Sequence, residues 1–160
     1  MDGQEDLNAA PLMAMAELAS AFRDRGDLQS ELDVLLLIVQ QFPDHVQANL
    51  EMAMALAAAE RHELALPYYR RALEIGPPLP ETHVGIGMAM LYQGNVPEAT
   101  KNFREAVRLR PHYPEALLNL GIALFAQEQW SASRKYLLQA RAADPMFAEA
   151  DIYLKQIPNF

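Results

Sequence analysis

Four prolines fall at one phase in this chain: Pro43, Pro77, Pro111 and Pro145 each stand 34 residues from the next. Such a spacing requires every interval to hold the same unit, and an interval of that length accommodates two helices and two turns. Other columns keep the phase. The pairs Leu18-Ala19, Met52-Ala53, Ile86-Gly87 and Leu120-Gly121 recur in the first half of each unit, and Leu35, Tyr69, Phe103 and Leu137 recur in the second. A small residue on one helix lets another cross it closely, and a bulky residue opposite fills the space that is left. Small residues also hold a column at Ala65, Ala99 and Ser133, and another at Ala72, Ala106 and Ala140. The first unit departs from both, with Glu31 and Ile38. Gly26 and Gly94 mark the turn between the two helices, where the other units have Glu60 and Glu128. The closing proline stops the second helix and starts the turn into the next unit.

The pattern is clearest over Pro80 to Pro111, PETHVGIGMAMLYQGNVPEATKNFREAVRLRP, and there it resembles the tetratricopeptide repeat. The resemblance runs from about Leu12 to Phe147 without a gap, in four copies at about 12–45, 46–79, 80–113 and 114–147. It implies an all-α fold: a right-handed solenoid of four helical hairpins plus a C-terminal capping helix, one domain over 11–160. Helices are predicted at about 12–24 and 29–41, 46–59 and 63–75, 80–92 and 97–109, and 114–127 and 131–143, with the capping helix over 148–157. Residues 1–10, acidic and without period, are predicted to be a mobile tail, with Pro11 opening the first helix. Pro67 predicts a kink, or a helix start shifted to place its ring in the first turn. Gly76-Pro77-Pro78-Leu79-Pro80 reads as a stiff inter-repeat turn rather than a proline-rich ligand motif.

Charge and composition exclude several functions. A net charge of −8 argues against nucleic acid, which is held by clustered Lys and Arg. Lys101, Arg104, Arg108 and Arg110 do cluster, but Glu98 and Glu105 lie among them at helical spacing, the pattern of a solvated face. The absence of cysteine removes disulfides, thiolate metal sites and cysteine nucleophiles. His45, His62, His83 and His112 are spread over different repeats with no pair one helical turn apart, so neither a metal nor a cofactor is expected. No phosphate loop or nucleophile motif suggests an enzyme. The start, MDGQEDLNAAP, has no basic region leading into an apolar core, and no apolar run is long enough to span a bilayer, so a cytoplasmic protein without membrane insertion is expected.

What remains is a surface. The resemblance implies that first helices line a concave groove. On the third of these, His83, Ile86, Gly87 and Met90 are predicted to face inward, and a second stripe, Val84, Met88 and Leu91, lies one residue around. The same positions hold Leu50 and Met54 one repeat earlier, and Leu118, Ile122 and Phe125 one repeat later; with Tyr92 these form the candidate groove. An apolar strip of this kind normally meets a partner, here a protein or peptide segment, apolar or amphipathic, and methionines let it adapt. Glu81 and Glu115 at its rim favour a basic flank on that ligand. The competing reading is a stripe covered by the neighbouring repeat, the end helix or a second copy. The carboxylate clamp of tetratricopeptide co-chaperones is not implied, because its positions hold Ala16, Ser20, Leu50, Met54, Val84 and Met88, none cationic. Nor is an asparagine ladder, since Asn119 is matched by Glu17, Glu51 and Gly85. Within a non-enzymatic interaction scaffold, a chaperone for apolar exported proteins of the type III secretion kind is an alternative, as is the targeting or regulatory module of a larger enzyme. Val34, Leu36 and Leu37 on the outer side of a second helix offer a contact for self-association.

Overall fold

The computed structural model describes residues 3–146 and 148–158. Among these every regular element is a helix: α1 (Gly3–Asp24), α2 (Leu28–Gln41), α3 (Val46–Ala58), α4 (His62–Ile75), α5 (Pro80–Tyr92), α6 (Val96–Leu109), α7 (Pro114–Ala126), α8 (Trp130–Ala143) and α9 (Ala148–Gln156). From α2 onward the periodic columns place the boundaries closely. The first helix differs: it starts at Gly3, not after Pro11, and the proline lies inside it, withdrawing one N–H from the ladder without ending the helix. Of the segment expected to be a tail, residues 1 and 2 lie outside the described residues. Pro67 likewise sits inside α4, which begins at His62, so its ring is past the first turn.

Two compact units divide the chain, Met1–Pro77 with α1 to α4 and Pro78–Phe160 with α5 to α9. The boundary falls inside the proline-rich connection. In each unit the dominant packing is between the helices of one hairpin, with α2 on α3 and α6 on α7 joining successive hairpins. The small-against-bulky columns explain how close that packing is. A Cβ added to Gly87 would lie 2.5 Å from Cε1 of Phe103, and one added to Gly121 would lie 2.7 Å from Cγ of Leu137. Ala65, Ala99 and Ser133 are fully buried, and Ser133 Oγ donates to the Gly121 carbonyl at 2.8 Å, so even the polar member of the column is satisfied.

The turn inside each hairpin is one motif used four times. Gly26, Glu60, Gly94 and Glu128 have φ of 71°, 59°, 74° and 57°. The N–H of the following residue reaches back five positions, as in Asp27 to Phe22 at 2.9 Å and Gln129 to Leu124 at 3.0 Å, while the left-handed residue itself bonds three positions back. This is the Schellman end of a helix, which glycine enters without a Cβ penalty. Glu60 and Glu128 carry that penalty, so Glu128→Gly is expected to stabilise the protein by about 0.5–1 kcal/mol, the relief being reduced by glycine's larger unfolded entropy. A urea midpoint that falls instead of rising would show that the Glu128 side chain contributes more than its backbone costs.

Directly after these residues come the caps of the second helices. Asp27 Oδ1 accepts the Ser30 N–H at 3.2 Å and Asn95 Oδ1 accepts the Glu98 N–H at 3.3 Å, whereas Arg61 and Gln129 make no such side-chain bond. The Ser30 hydroxyl and N–H together hold the Asp27 carboxyl below its ordinary value. A carboxyl depressed by folding stabilises the fold above its unfolded pKa, about 3.9, and that contribution disappears as pH falls through the lower folded value. Titration of the Asp27 carboxyl carbon by NMR should therefore give a midpoint under the usual aspartate range, with the first-turn amides of α2 losing protection below it. A midpoint at or above that range would remove the cap from the account.

At the far end of each second helix the residue before proline is forced out of the helical region. Phe42, Gly76, Arg110 and Asp144 have φ between −127° and −142°. Pro80 and Pro114 then open α5 and α7, where a missing N–H costs nothing. The last helix, α9, repeats the register of α7: Ala150 and Ala116 are both fully buried. Lys155, however, occupies the column of Ala19, Ala53, Gly87 and Gly121, and it is exposed.

Candidate partner-binding face

On the first helices the apolar stripe is split by burial. Leu50, Val84 and Leu118 are only 4–5% exposed and belong to the cores, so they do not line an open groove. Met88, Leu91, Ile122 and Phe125 are half-buried, and Met54 and Tyr92, at 49% and 64% exposed, face solvent. A helical wheel orders residues around one helix but says nothing of what its neighbours cover. In Pro78–Phe160 the cover is visible: Leu118, Ile122 and Phe125 pack into one cluster with Leu137, Ala150, Ile157, Tyr153 and Leu154. Phe125 meets Tyr153 and Trp130 edge to face, each at 5.1 Å. Here α9 takes much of the face that a ligand was expected to take.

Met1–Pro77 keeps more of its first-helix face open. Met13 and Leu18 on α1 and Met54 on α3 are 63%, 47% and 49% exposed. Leu18 is the informative case. Its column partners Met52, Ile86 and Leu120 are buried, whereas Leu18 is not. Beside Met54, residues of three helices converge on charge: Arg23 Nε donates to Glu31 Oε1 at 2.5 Å and Arg23 Nη2 to Glu51 Oε2 at 3.2 Å. Burial opposes the charge on Arg23, yet the hydrogen bonds to the two carboxylates outweigh it and hold the guanidinium above its ordinary value. The unexpected Glu31 is thus one half of a pair. The sequence carried the signal, since Arg23 and Glu31 both break their columns, but the turn between them hides the contact.

The two rim carboxylates are engaged elsewhere. Glu81 pairs with Arg110 at 2.7 Å, and Tyr113 Oη donates to Glu115 Oε2 at 2.9 Å, with the Arg110 guanidinium 4.8 Å above the Tyr113 ring. Burial and then the Glu115 charge push the Tyr113 phenol well above its ordinary value. On the outer side Leu36 and Leu37 are 39% and 51% exposed, whereas Val34 is buried and joins the core, which corrects its placement on the outer surface. Histidines serve the helices: His45 Nδ1 accepts the Ala48 N–H at 3.1 Å, capping α3, and His83 Nδ1 lies 3.3 Å from Asn102 Oδ1. Among the described residues no three His, Asp or Glu side chains converge as a metal site, and no helix is long and apolar enough to cross a membrane.

Comparison with known proteins agrees with this architecture. The family model for the tetratricopeptide repeat matches residues 37–80, 84–146 and 118–154. Among solved structures, MamA from Desulfovibrio magneticus RS-1 superposes with a TM-score of 0.82 at 18% identity, over 91% of this chain and 82% of that one. YrrB gives 0.76 at 19%, over 94% and 77%, and Pseudomonas aeruginosa PilF gives 0.77 at 18%, over 91% and 67%. No curated protein sequence matches the chain. At such identities the structural likeness speaks to the fold alone. The proline phase, the Schellman turns and the matched residues converge, and the chain belongs to the tetratricopeptide repeat family.

Proposed function

We propose that the protein is a non-enzymatic scaffold that binds an apolar or amphipathic segment of a partner protein on the first-helix face of Met1–Pro77. The observation that carries this is the exposure of Met13 and Met54 on successive first helices, α1 and α3. Met54 corresponds to Ser20 on α1, seven residues from Met13, so the two exposed thioethers lie at helical spacing on one face and form an adaptable apolar surface, a liability unless something covers it. YrrB, of the same fold, is described as having an unusual peptide-binding site, which makes a peptide the natural kind of ligand to test. The half-buried Met88 and Leu91 with Tyr92 form a second, smaller candidate contact on α5.

The test uses residues that can change without breaking the core. Val84→Glu is unsuitable, because Val84 is 4% exposed and a buried charge would unfold its hairpin. Met13→Glu with Met54→Glu keeps both charges in water. After circular dichroism shows equal helicity, a pull-down from source lysate read by mass spectrometry should recover a partner with the wild type and lose it with the double variant. Equal recovery by both would move the contact to Leu36 and Leu37.

A further inference from the structure

Arg23, Glu31 and Glu51 wall a cavity of about 210 Å³ whose other lining is Met54, Ala55 and Ala58. The residues at the equivalent positions show that the fold does not require this charge. Where Glu31 stands, the other hairpins have Ala65, Ala99 and Ser133, and where Arg23 stands they have Ala57, Leu91 and Phe125. Those three hairpins close on small and apolar residues, and taking two ions out of water costs several kcal/mol per ion before their attraction returns it. The pair is also unbalanced. Two carboxylates face one guanidinium, leaving one negative charge in a wall otherwise made of a thioether and two methyl groups.

The hydrogen bonding leaves a vacancy on the acidic side. Glu31, 4% exposed, has its Oε1 occupied by Arg23 Nε, and Oε2 accepts no hydrogen bond among the described residues. Glu51 Oε1 accepts from Gln47 Nε2 at 2.9 Å and Oε2 from Arg23, so Glu51 is held in place facing the cavity. Arg110 and Tyr113 engage Glu81 and Glu115, so a basic flank on a ligand has its complement here instead.

We propose that this cavity receives a cationic side chain, arginine or lysine, from the partner segment bound on the face described above. The aliphatic stem lies along Met54, Ala55 and Ala58, and the head group donates to Glu31 Oε2 and shares Glu51, restoring charge balance. The inference rests on the proposed peptide-binding function, since Met54 belongs to both, and it names the chemistry of one ligand residue.

The experiment is an NMR titration of the full chain with the acetylated, amidated pentapeptide Ala-Leu-Arg-Leu-Ala, and with the same peptide carrying citrulline, the neutral isostere of arginine. The arginine peptide should give saturable shifts at the Met54 methyl and at Ala55 and Ala58, with the citrulline peptide about tenfold weaker. Glu51→Gln should reduce the difference, and Arg23→Leu with Glu31→Ala, which restores the apolar and small pair of the other hairpins, should abolish it. Equal midpoints for the two peptides at these resonances would overturn the cationic pocket while leaving an apolar binding face intact. Saturable shifts confined to the Met13 or Tyr92 resonances would also overturn it, placing the ligand on the face but outside the cavity. Absence of any saturable shift would count against the pocket, with the pull-down judging the face separately.

Discussion

Gly87→Ala is expected to destabilise the protein by about 1–3 kcal/mol, although alanine favours a helix over glycine by about 1 kcal/mol. Packing decides the sign. The new methyl would lie 2.5, 2.7 and 2.8 Å from Cε1, Cδ1 and Cζ of Phe103, a fully buried ring with no flexible end to swing away. Either the ring leaves its rotamer or α5 and α6 separate, and both disturb a tightly packed crossing of Pro78–Phe160. Leucine faces alanine in the first hairpin, where Ala19 and Leu35 are both fully buried. Gly87→Ala with Phe103→Leu should accordingly cost less than the two single changes added together, measured by urea denaturation of all three variants. Strict additivity would mean that the ring is not the wall the methyl meets.

Removing half of the Arg23 and Glu31 pair should cost far more than removing both. Arg23→Ala leaves a carboxylate that is 5% exposed without its donor, a loss of about 1–3 kcal/mol, below the range for a fully buried pair because the Arg23 side chain is 45% exposed. Arg23→Leu with Glu31→Ala should fall within about 1 kcal/mol of the wild type, or above it, since buried ion pairs are often matched by apolar residues of similar shape. Thermal melts with matched circular dichroism would read both. A double variant as unstable as Arg23→Ala would make the pair structural and weaken the case for a ligand role.

The fold was legible because its determinants are periodic. Pro80 and Pro114 mark helix starts, the non-helical residue before each closing proline marks a helix end, and the Gly87 and Gly121 column declares the crossing. Pro11 misled for the opposite reason: it belongs to no column, and a single proline does not end a helix by itself. The site was only half legible. Periodicity identified the apolar stripe, but burial of Leu50, Val84 and Leu118 depends on neighbours that a single helix does not reveal, and Tyr153 over Phe125 depends on how α9 docks. Glu31 announced itself as a departure, whereas its meaning lay across a turn in Arg23, the other residue out of column.

Lys155 sets a rule for how such a chain can be lengthened by duplication. A copied 34-residue cassette inserted between Tyr113 and Pro114 would bring its own glycine and its own bulky partner, so every crossing would remain intact. Added beyond α9, the same cassette would find a long cationic side chain where a second helix needs a hydrogen or a methyl group. Growth of the array is therefore permitted from within and blocked at that helix until one codon changes.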